Sequence, residues 1–219
     1  GERSIKMDIE KVIKNLSANN MEAFFVKDKE EAKNLALSFI PEGAVCASGG
    51  SVTLLQTGII SELKNGNYKY LDRNDSSLSA EEKEEITKLS MNADVYLSSA
   101  NAVTEDGELY NVDGNSNRVS SLLYGHDKVI IVVGTNKIVK DLDEAVYRVK
   151  TIAAPLNCKR LGCKTYCAEK GHCISLDNGG NMPKGCMSDD RICVNYTVMS
   201  RQRKKDRVKV IIVDKSLGY

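Results

Sequence analysis

Residues 93–134 read ADVYLSSANAVTEDGELYNVDGNSNRVSSLLYGHDKVIIVVG. The apolar run Val95–Ser99 empties into Asn101, Glu105, Asp106, Asp113, Asn115, Asn117 and Arg118, and a second apolar run, Val129–Val133, follows. Short uninterrupted apolar runs of this kind are strands buried on both faces, the mark of a parallel sheet. Polar side chains gathered where such a strand ends are the usual layout of a ligand site in an α/β sheet.

The same grammar extends outward. Upstream, Ile5–Ser17 has helical spacing, Glu22–Val26 is a short strand, and Asp28 with Glu31 opens a helix to about Phe39. Ala44–Ala47 is a small buried strand running into Ser48-Gly49-Gly50-Ser51, followed by a helix over Thr53–Leu63. Tyr68–Leu71 is a strand, and Ser79 with Glu82 opens a helix to about Met91. Downstream, Lys137–Thr151 has helical periodicity and Pro155 is expected to end it. Val194–Met199 and Val208–Val213 are strands joined by the basic turn 201–207, which predicts an antiparallel edge hairpin. Strands alternating with helices give an α/β fold, a three-layer α/β/α arrangement around a mostly parallel, Rossmann-like sheet. At 219 residues a single domain is expected, with residues 158–193 as a cysteine-rich insertion on its body.

Thirty-one basic against thirty acidic residues leave a net charge of +1, so bulk charge points to neither nucleic acid nor an anionic membrane. No apolar run is long enough to span a bilayer. With no signal-peptide pattern at the start, a cytoplasmic location is expected, where seven cysteines are unusual.

Three features carry candidate chemistry. Glycines in Ser48-Gly49-Gly50-Ser51-Val52-Thr53 let the backbone approach a ligand, and a helix start with Ser51 and Thr53 hydroxyls could seat phosphate or carboxylate. The plainer reading is a glycine turn with a Ser cap. No Lys follows the glycines, so this is not a Walker loop. Glu105 and Asp113 are candidates for general acid–base work, Glu105 also for a carboxylate nucleophile. Asn101, Asn115, Asn117 and Arg118 could orient a substrate and clamp an anion. Ordinary turn chemistry is the competing reading, because Asp-Gly and Gly-Asn pairs favour turns. Lastly, the cysteines run Cys158-x4-Cys163-x3-Cys167-x5-Cys173-x12-Cys186-x6-Cys193. Thiolates gathered by such a loop could bind zinc or an iron–sulfur cluster, or remain free thiols. Cys46 reads as a small core residue and His126 as a solvated turn residue. His172, between Cys167 and Cys173, is read the same way, with stray metal ligation as its alternative. The run 201–205 reads as a solvated turn and not as a nucleic-acid patch.

The segment ADVYLSSANAVTEDGELYNVDGNSNRV, with KVIIVVGTNKIVKDLDEAVYRVKTIAAP, PEGAVCASGGSVTLLQTG, LDRND, DRIC, SRQR and the closing LGY, resembles the LUD-domain (lactate utilisation) proteins over nearly the whole chain. The resemblance implies a fold similar to ribose-5-phosphate isomerase, glucosamine-6-phosphate deaminase and the CoA-transferases. It also implies a Gly-Ser-type anion loop at Ser48–Thr53 and a carboxylate comparable in place to Glu105. It further implies a four-cysteine metal motif falling on Cys167, Cys173, Cys186 and Cys193, with Tyr166 where a Pro is expected and extra residues within Ile174–Gly185. The expected function is binding of a small anionic metabolite in lactate-type metabolism, with acyl or isomerase chemistry if the chain is catalytic. The alternative is an accessory protein carrying a metal or iron–sulfur site for redox partner subunits. A homodimer is a further expected partnership; nucleic acid and membranes are not.

Overall fold

The computed structural model describes residues 8–219. Ile5, the first apolar position of the expected N-terminal helix, lies outside them. The strands are β1 (Glu22–Val26), β2 (Val45–Ser48), β3 (Lys69–Leu71), β4 (Val95–Ser98), β5 (Ala102–Thr104), β6 (Leu109–Asp113), β7 (Lys128–Gly134), β8 (Ile138–Val139), β9 (Asn195–Met199) and β10 (Val208–Val213). Six form one sheet in the order β1-β10-β7-β4-β2-β3, with every pairing parallel. The other four form a second, mixed sheet in the order β8-β5-β6-β9.

The helices are α1 (Ile9–Ala18), α2 (Lys29–Ser38), α3 (Val52–Gln56), α4 (Ile59–Asn65), α5 (Ala80–Ser90), α6 (Asn117–Leu123), α7 (Leu142–Arg148), α8 (Ala154–Leu161) and α9 (Tyr166–Lys170). The period-two alternation of the strands decides which helix goes where. Ile130, Val132 and Ile211 point to a core shared with Ala32, Ala36, Leu54 and Ile59 of α2, α3 and α4. Their neighbours Val129, Ile131 and Val210 point the other way, to Val12 and Leu16 of α1, Leu122 of α6, and Val103 and Leu109 of the second sheet. The second sheet turns its far side, Ala102 and Tyr110, onto Ala145, Val149 and Ala153. The main sheet is therefore covered on both faces, as its continuous apolar strands require.

Local chemistry matches the ends of the elements. Asp28 accepts from the Glu31 backbone N–H at 2.9 Å. Ser79 and Glu82 form a reciprocal capping box at the start of α5.

Four expectations need correction. The helix expected from Lys137 begins only at Leu142, because Thr135–Lys137 is a single 3-10 turn and Ile138–Val139 pairs with β5 as β8. The late strands do not form a hairpin. β9 is an antiparallel edge strand, but its partner is β6, while β10 lies inside the main sheet between β1 and β7. β10 is apolar on both faces and so belongs in a buried sheet; half-exposed β9 suits an edge. The helix over Thr53–Leu63 is broken at Gly58, which is left-handed at φ +77° and ends α3 before α4 begins. Pro155 ends nothing. A π-helical turn over Val149–Ala153 links α7 to α8, and Pro155 falls in the first turn of α8, where its missing N–H is no loss.

No helix among the described residues is long and apolar enough to cross a membrane.

Candidate functional site

Adjacent parallel strands β2 and β4 end side by side, in register from Cys46↔Val95 to Ser48↔Leu97. The chain leaves β2 for β3 on one side, and then returns to β4 on the other side before continuing to β7 and β10. This reversal of direction opens a crevice at the carboxyl ends of the strands. A hollow of about 520 Å³ occupies it, within the size range of small-molecule sites. Gly50, Ser51 and Thr53 wall it from β2, and Ser98, Ser99 and Asn101 from β4. Asp113, Asn115, Asn117 and Arg118 close the third side. The glycine-serine bend and the acidic-amide stretch thus face one space.

What each residue does there differs from the sequence reading. Ser48 is turned away and shares a 2.7 Å hydrogen bond with Tyr70 Oη. Gly49 does not line the hollow; a Cβ there would lie 3.0 Å from Arg118 Cδ and 3.2 Å from Tyr96 Oη, so its bareness makes room for Arg118. Ser51 caps α3, accepting from the Leu54 N–H at 3.2 Å. Arg118 is not an open anion clamp. Its guanidinium donates to Asn111 Oδ1 (2.8 Å), Asn101 Oδ1 (3.1 Å), the Val112 carbonyl (2.8 Å) and the Ser99 carbonyl (3.4 Å), tying the turn together from within. Asp113 accepts from the backbone N–H groups of Gly114, Arg118 and Val119, which makes it the cap of α6. Glu105 is outside the hollow altogether. It accepts from Lys11 Nζ of α1 at 2.8 Å, because the turn after β5 carries it away from the hollow and onto α1.

Two cations that sequence reasoning missed take the vacant roles. Arg73, after β3, lines the hollow. Its Nε is buried without any hydrogen-bond partner. Lys137, just after β7, is 4% exposed and also lines the hollow. Its Nζ donates to Thr53 Oγ1 at 3.0 Å and Ser99 Oγ at 2.9 Å. It has no carboxylate partner among the described residues. Burial, with Arg148 and Arg118 nearby, pushes this ammonium down to about 7. The chain's last residues pass over it, with the Gly218 N–H donating to Gln56 Oε1 at 2.8 Å. Gly218 is left-handed, and a Cβ there would lie 2.5 Å from Thr53 Oγ1 and 3.2 Å from Lys137 Nζ.

His126 is a core residue, not a solvated one. It is 3% exposed, stacks on Tyr96 with centroids 5.0 Å apart, and its Nδ1 lies 2.6 Å from the Ala93 carbonyl oxygen. Burial pulls its imidazole below the ordinary value.

The cysteines gather elsewhere. Cys158, Cys167, Cys173, Cys186 and Cys193 line a second cavity, of about 30 Å³, under α8. Burial pushes the thiols of Cys158 and Cys193 up to about 12, so they are neutral as they stand. Among the described residues no group of three or more His, Cys, Asp or Glu side chains is set to grip a metal ion. Cys158 belongs to a helix and not to the loop. His172 is tied to Asp177, with Nε2 2.9 Å from Oδ1, and does not reach the cavity.

A family model of the LUD domain matches residues 9–213. The chain belongs to the LUD-domain family. It is, in general terms, a protein of the lactate-utilisation type. A crystal structure of a DUF162 family protein from Deinococcus radiodurans is similar over 94% of this chain and 95% of its own, at 14% identity and a TM-score of 0.51, which extends the likeness of fold across the domain. Ribose-5-phosphate isomerase A from Neisseria gonorrhoeae is similar over 52% of this chain and 54% of its own, at 17% identity and a TM-score of 0.33. No curated protein sequence matches the chain.

Proposed function

We propose that this LUD-domain protein binds a small anionic metabolite, a carboxylate, sugar phosphate or acyl-CoA-like compound, in the hollow between β2 and β4. The observation that carries this reading is a pair of cations with no ion-pair partner among the described residues. Arg73 brings a guanidinium that makes no hydrogen bond among the described residues, and Lys137 an amine whose partners there are hydroxyls. Buried or half-buried cations are costly unless an anion meets them. In this reading Arg73 grips the anionic group in its planar fork, and the Gly50–Ser51 backbone lies against it. Asn115 and Asn117, whose side chains make no hydrogen bond among the described residues, orient the remainder. Lys137 brings its amine up to the bound compound; Glu105 takes no part. A thermal-shift series with lactate, a sugar phosphate and an acyl-CoA tests it, since a ligand of the folded state raises Tm. A flat response to all three classes rejects it.

The thiol cavity favours a second reading, an accessory role in which Cys167, Cys173, Cys186 and Cys193 hold zinc or an iron–sulfur cluster for redox partner subunits. Its support is charge. Lys150, Lys184 and Arg191 line that cavity and no carboxylate does, an environment suited to the net negative charge of four thiolates on a metal. The thiols would have to draw together on loading. Anaerobic purification followed by metal analysis tests this, and only a substoichiometric trace of metal removes it.

A further inference from the structure

We propose that Lys137 is an amine nucleophile that captures the carbonyl carbon of a small carbonyl compound bearing an anionic group, held beside it by Arg73. This deepens, and rests on, the anion-binding reading of the hollow.

The argument begins with geometry. Lys137 stands where three remote segments meet: Thr53 at the start of α3, Ser99 at the end of β4, and Gly218 passing over. Surface lysines trail into water, and structural buried lysines spend their amine on fixed protein acceptors in a space with no room for a ligand, as Lys150 does. This one does neither. Its amine borders a hollow large enough for a metabolite and is held between two hydroxyls that can both donate and accept. A methionine or leucine would fill the same space without the desolvation cost, so an amine kept here is kept for its chemistry.

The electrostatics agree. A lysine desolvated beside other cations is the usual form of an amine nucleophile. Arg118 and Arg148 are the cations beside this one, and with burial they bring it down to about 7. Half of such amines are unprotonated at neutral pH, against roughly one in a few thousand for a lysine in water.

The step balances without a co-reactant. The Nζ lone pair forms a bond to the carbonyl carbon, and the C=O π pair moves to oxygen. The nitrogen, now cationic, gives up one proton, which the Ser99 or Thr53 hydroxyl relays to that oxygen, giving a neutral carbinolamine. The second nitrogen proton passes to the hydroxyl oxygen, which leaves as water while the nitrogen lone pair forms the C=N bond of an imine. Amine plus carbonyl compound thus equals imine plus water. Once protonated, the imine withdraws electrons from the adjacent carbon and eases loss of its proton, the step an isomerisation requires.

The test is reductive trapping on the full chain. The protein is mixed with pyruvate in one arm and glyceraldehyde 3-phosphate in the other, then treated with sodium borohydride and mapped by peptide mass spectrometry. Parallel samples without borohydride are followed by thermal shift. The expected result is a single reduced adduct per chain on the peptide containing Lys137. It disappears in Lys137→Met and falls at least about tenfold in Arg73→Ala, the loss expected of a charged hydrogen bond. The productive arm distinguishes a 2-oxo acid from a sugar-phosphate carbonyl. If either compound raises Tm but the adduct is absent or scattered over surface lysines, the nucleophile proposal is overturned and the anion-binding reading survives. If neither compound shifts Tm nor leaves an adduct, both fall. The wild-type peptide map decides the matter even if Lys137→Met does not fold.

Discussion

Lys137 and Lys150 are both buried, at 4% and 5% exposure, and neither has a carboxylate partner among the described residues. Their surroundings divide them. Lys150 donates to the Ser175 hydroxyl and the Lys184 carbonyl, each at 2.5 Å, with Cys173 Sγ at 3.9 Å. Its cavity, about 30 Å³, has room for about one water. Lys137 donates to two hydroxyls and borders about 520 Å³. Lys150 is a fastener that pins the cysteine-bearing loop to the π-helical turn. Lys137 is a cation with space in front of it. A buried lysine therefore points to a ligand only when its bonds leave it chemistry to do and its cavity has room for a partner.

The largest expected effect separates the two cavities by affinity. Arg73→Ala should weaken the hollow's ligand by about 10- to 100-fold, the equivalent of roughly 1.5–3 kcal/mol for a charged hydrogen bond. Stability should change by less than about 0.5 kcal/mol, because the guanidinium makes no hydrogen bond among the described residues. Titration calorimetry with whichever compound raises Tm checks the first, urea unfolding the second. An unchanged Kd would mean that the hollow does not use Arg73.

Next comes a dependence on pH that Lys137 should impose. Its folded value, about 7, is far below the ordinary 10.5. Between those two values the unfolded chain holds a proton that the folded chain has released, so stability rises with pH across that window. Below 7 both states are protonated and the penalty is constant. From pH 7 to 9 the wild type should gain about 2 kcal/mol relative to Lys137→Met, whose unfolding lacks this slope. The comparison stops at 9, because Cys46, Cys158 and Cys193 are raised to about 11, 12 and 12 and lose stability as pH climbs further. Parallel slopes in the two proteins would show that Lys137 is solvated like any surface lysine. The matching change in the other cavity, Lys150→Met, should cost about 1–2 kcal/mol by stranding the Lys184 carbonyl and Ser175 hydroxyl. Ligand affinity in the hollow should not move.

Much of this frame was legible in the chain itself. β1, β4 and β7 read as strands because buried parallel strands are plain apolar runs, and α2 and α5 announced themselves by their caps. The facing walls of the hollow were legible too, since strand ends rich in glycine, serine and amides mark such a crevice. The second sheet was not. β5 and β6 are three and five residues long and lie among Asp-Gly and Gly-Asn turns, so turn chemistry masked them, and the two-residue β8 was absorbed into the helical periodicity that follows it. The pairing of β9 with β6 is a contact between distant segments that no local pattern encodes. Lys137 and Arg73 escaped notice for the same reason: a lysine in GTNKIVKD reads as the solvated first residue of a helix until Thr53, Ser99 and Gly218 are folded around it. The one local hint was the apolar pair Ile138-Val139 beside it. Arg118 misled in the opposite direction. An arginine after Asp113 and Asn115 looks free to bind an anion, and only the fold reveals that Asn101, Asn111 and Val112 already occupy it.

The smallest expected effect is the most discriminating about chemistry. Glu105→Gln removes the carboxylate that the strand-end motif and the family resemblance both single out as a nucleophile. In the fold that carboxylate faces α1, where Lys11 reaches it at 2.8 Å and the Asn15 side chain donates to the Glu105 carbonyl at 2.7 Å. Lys11 is exposed, so the pair is screened by water and contributes no more than an ordinary surface ion pair does. The substitution should lower Tm slightly, more so at low salt than at high, and leave both ligand affinity and borohydride trapping at wild-type levels. Loss of trapping with affinity intact would place Glu105 in the reaction after all, and would require α1 to move so that β5 could turn its carboxylate toward the hollow.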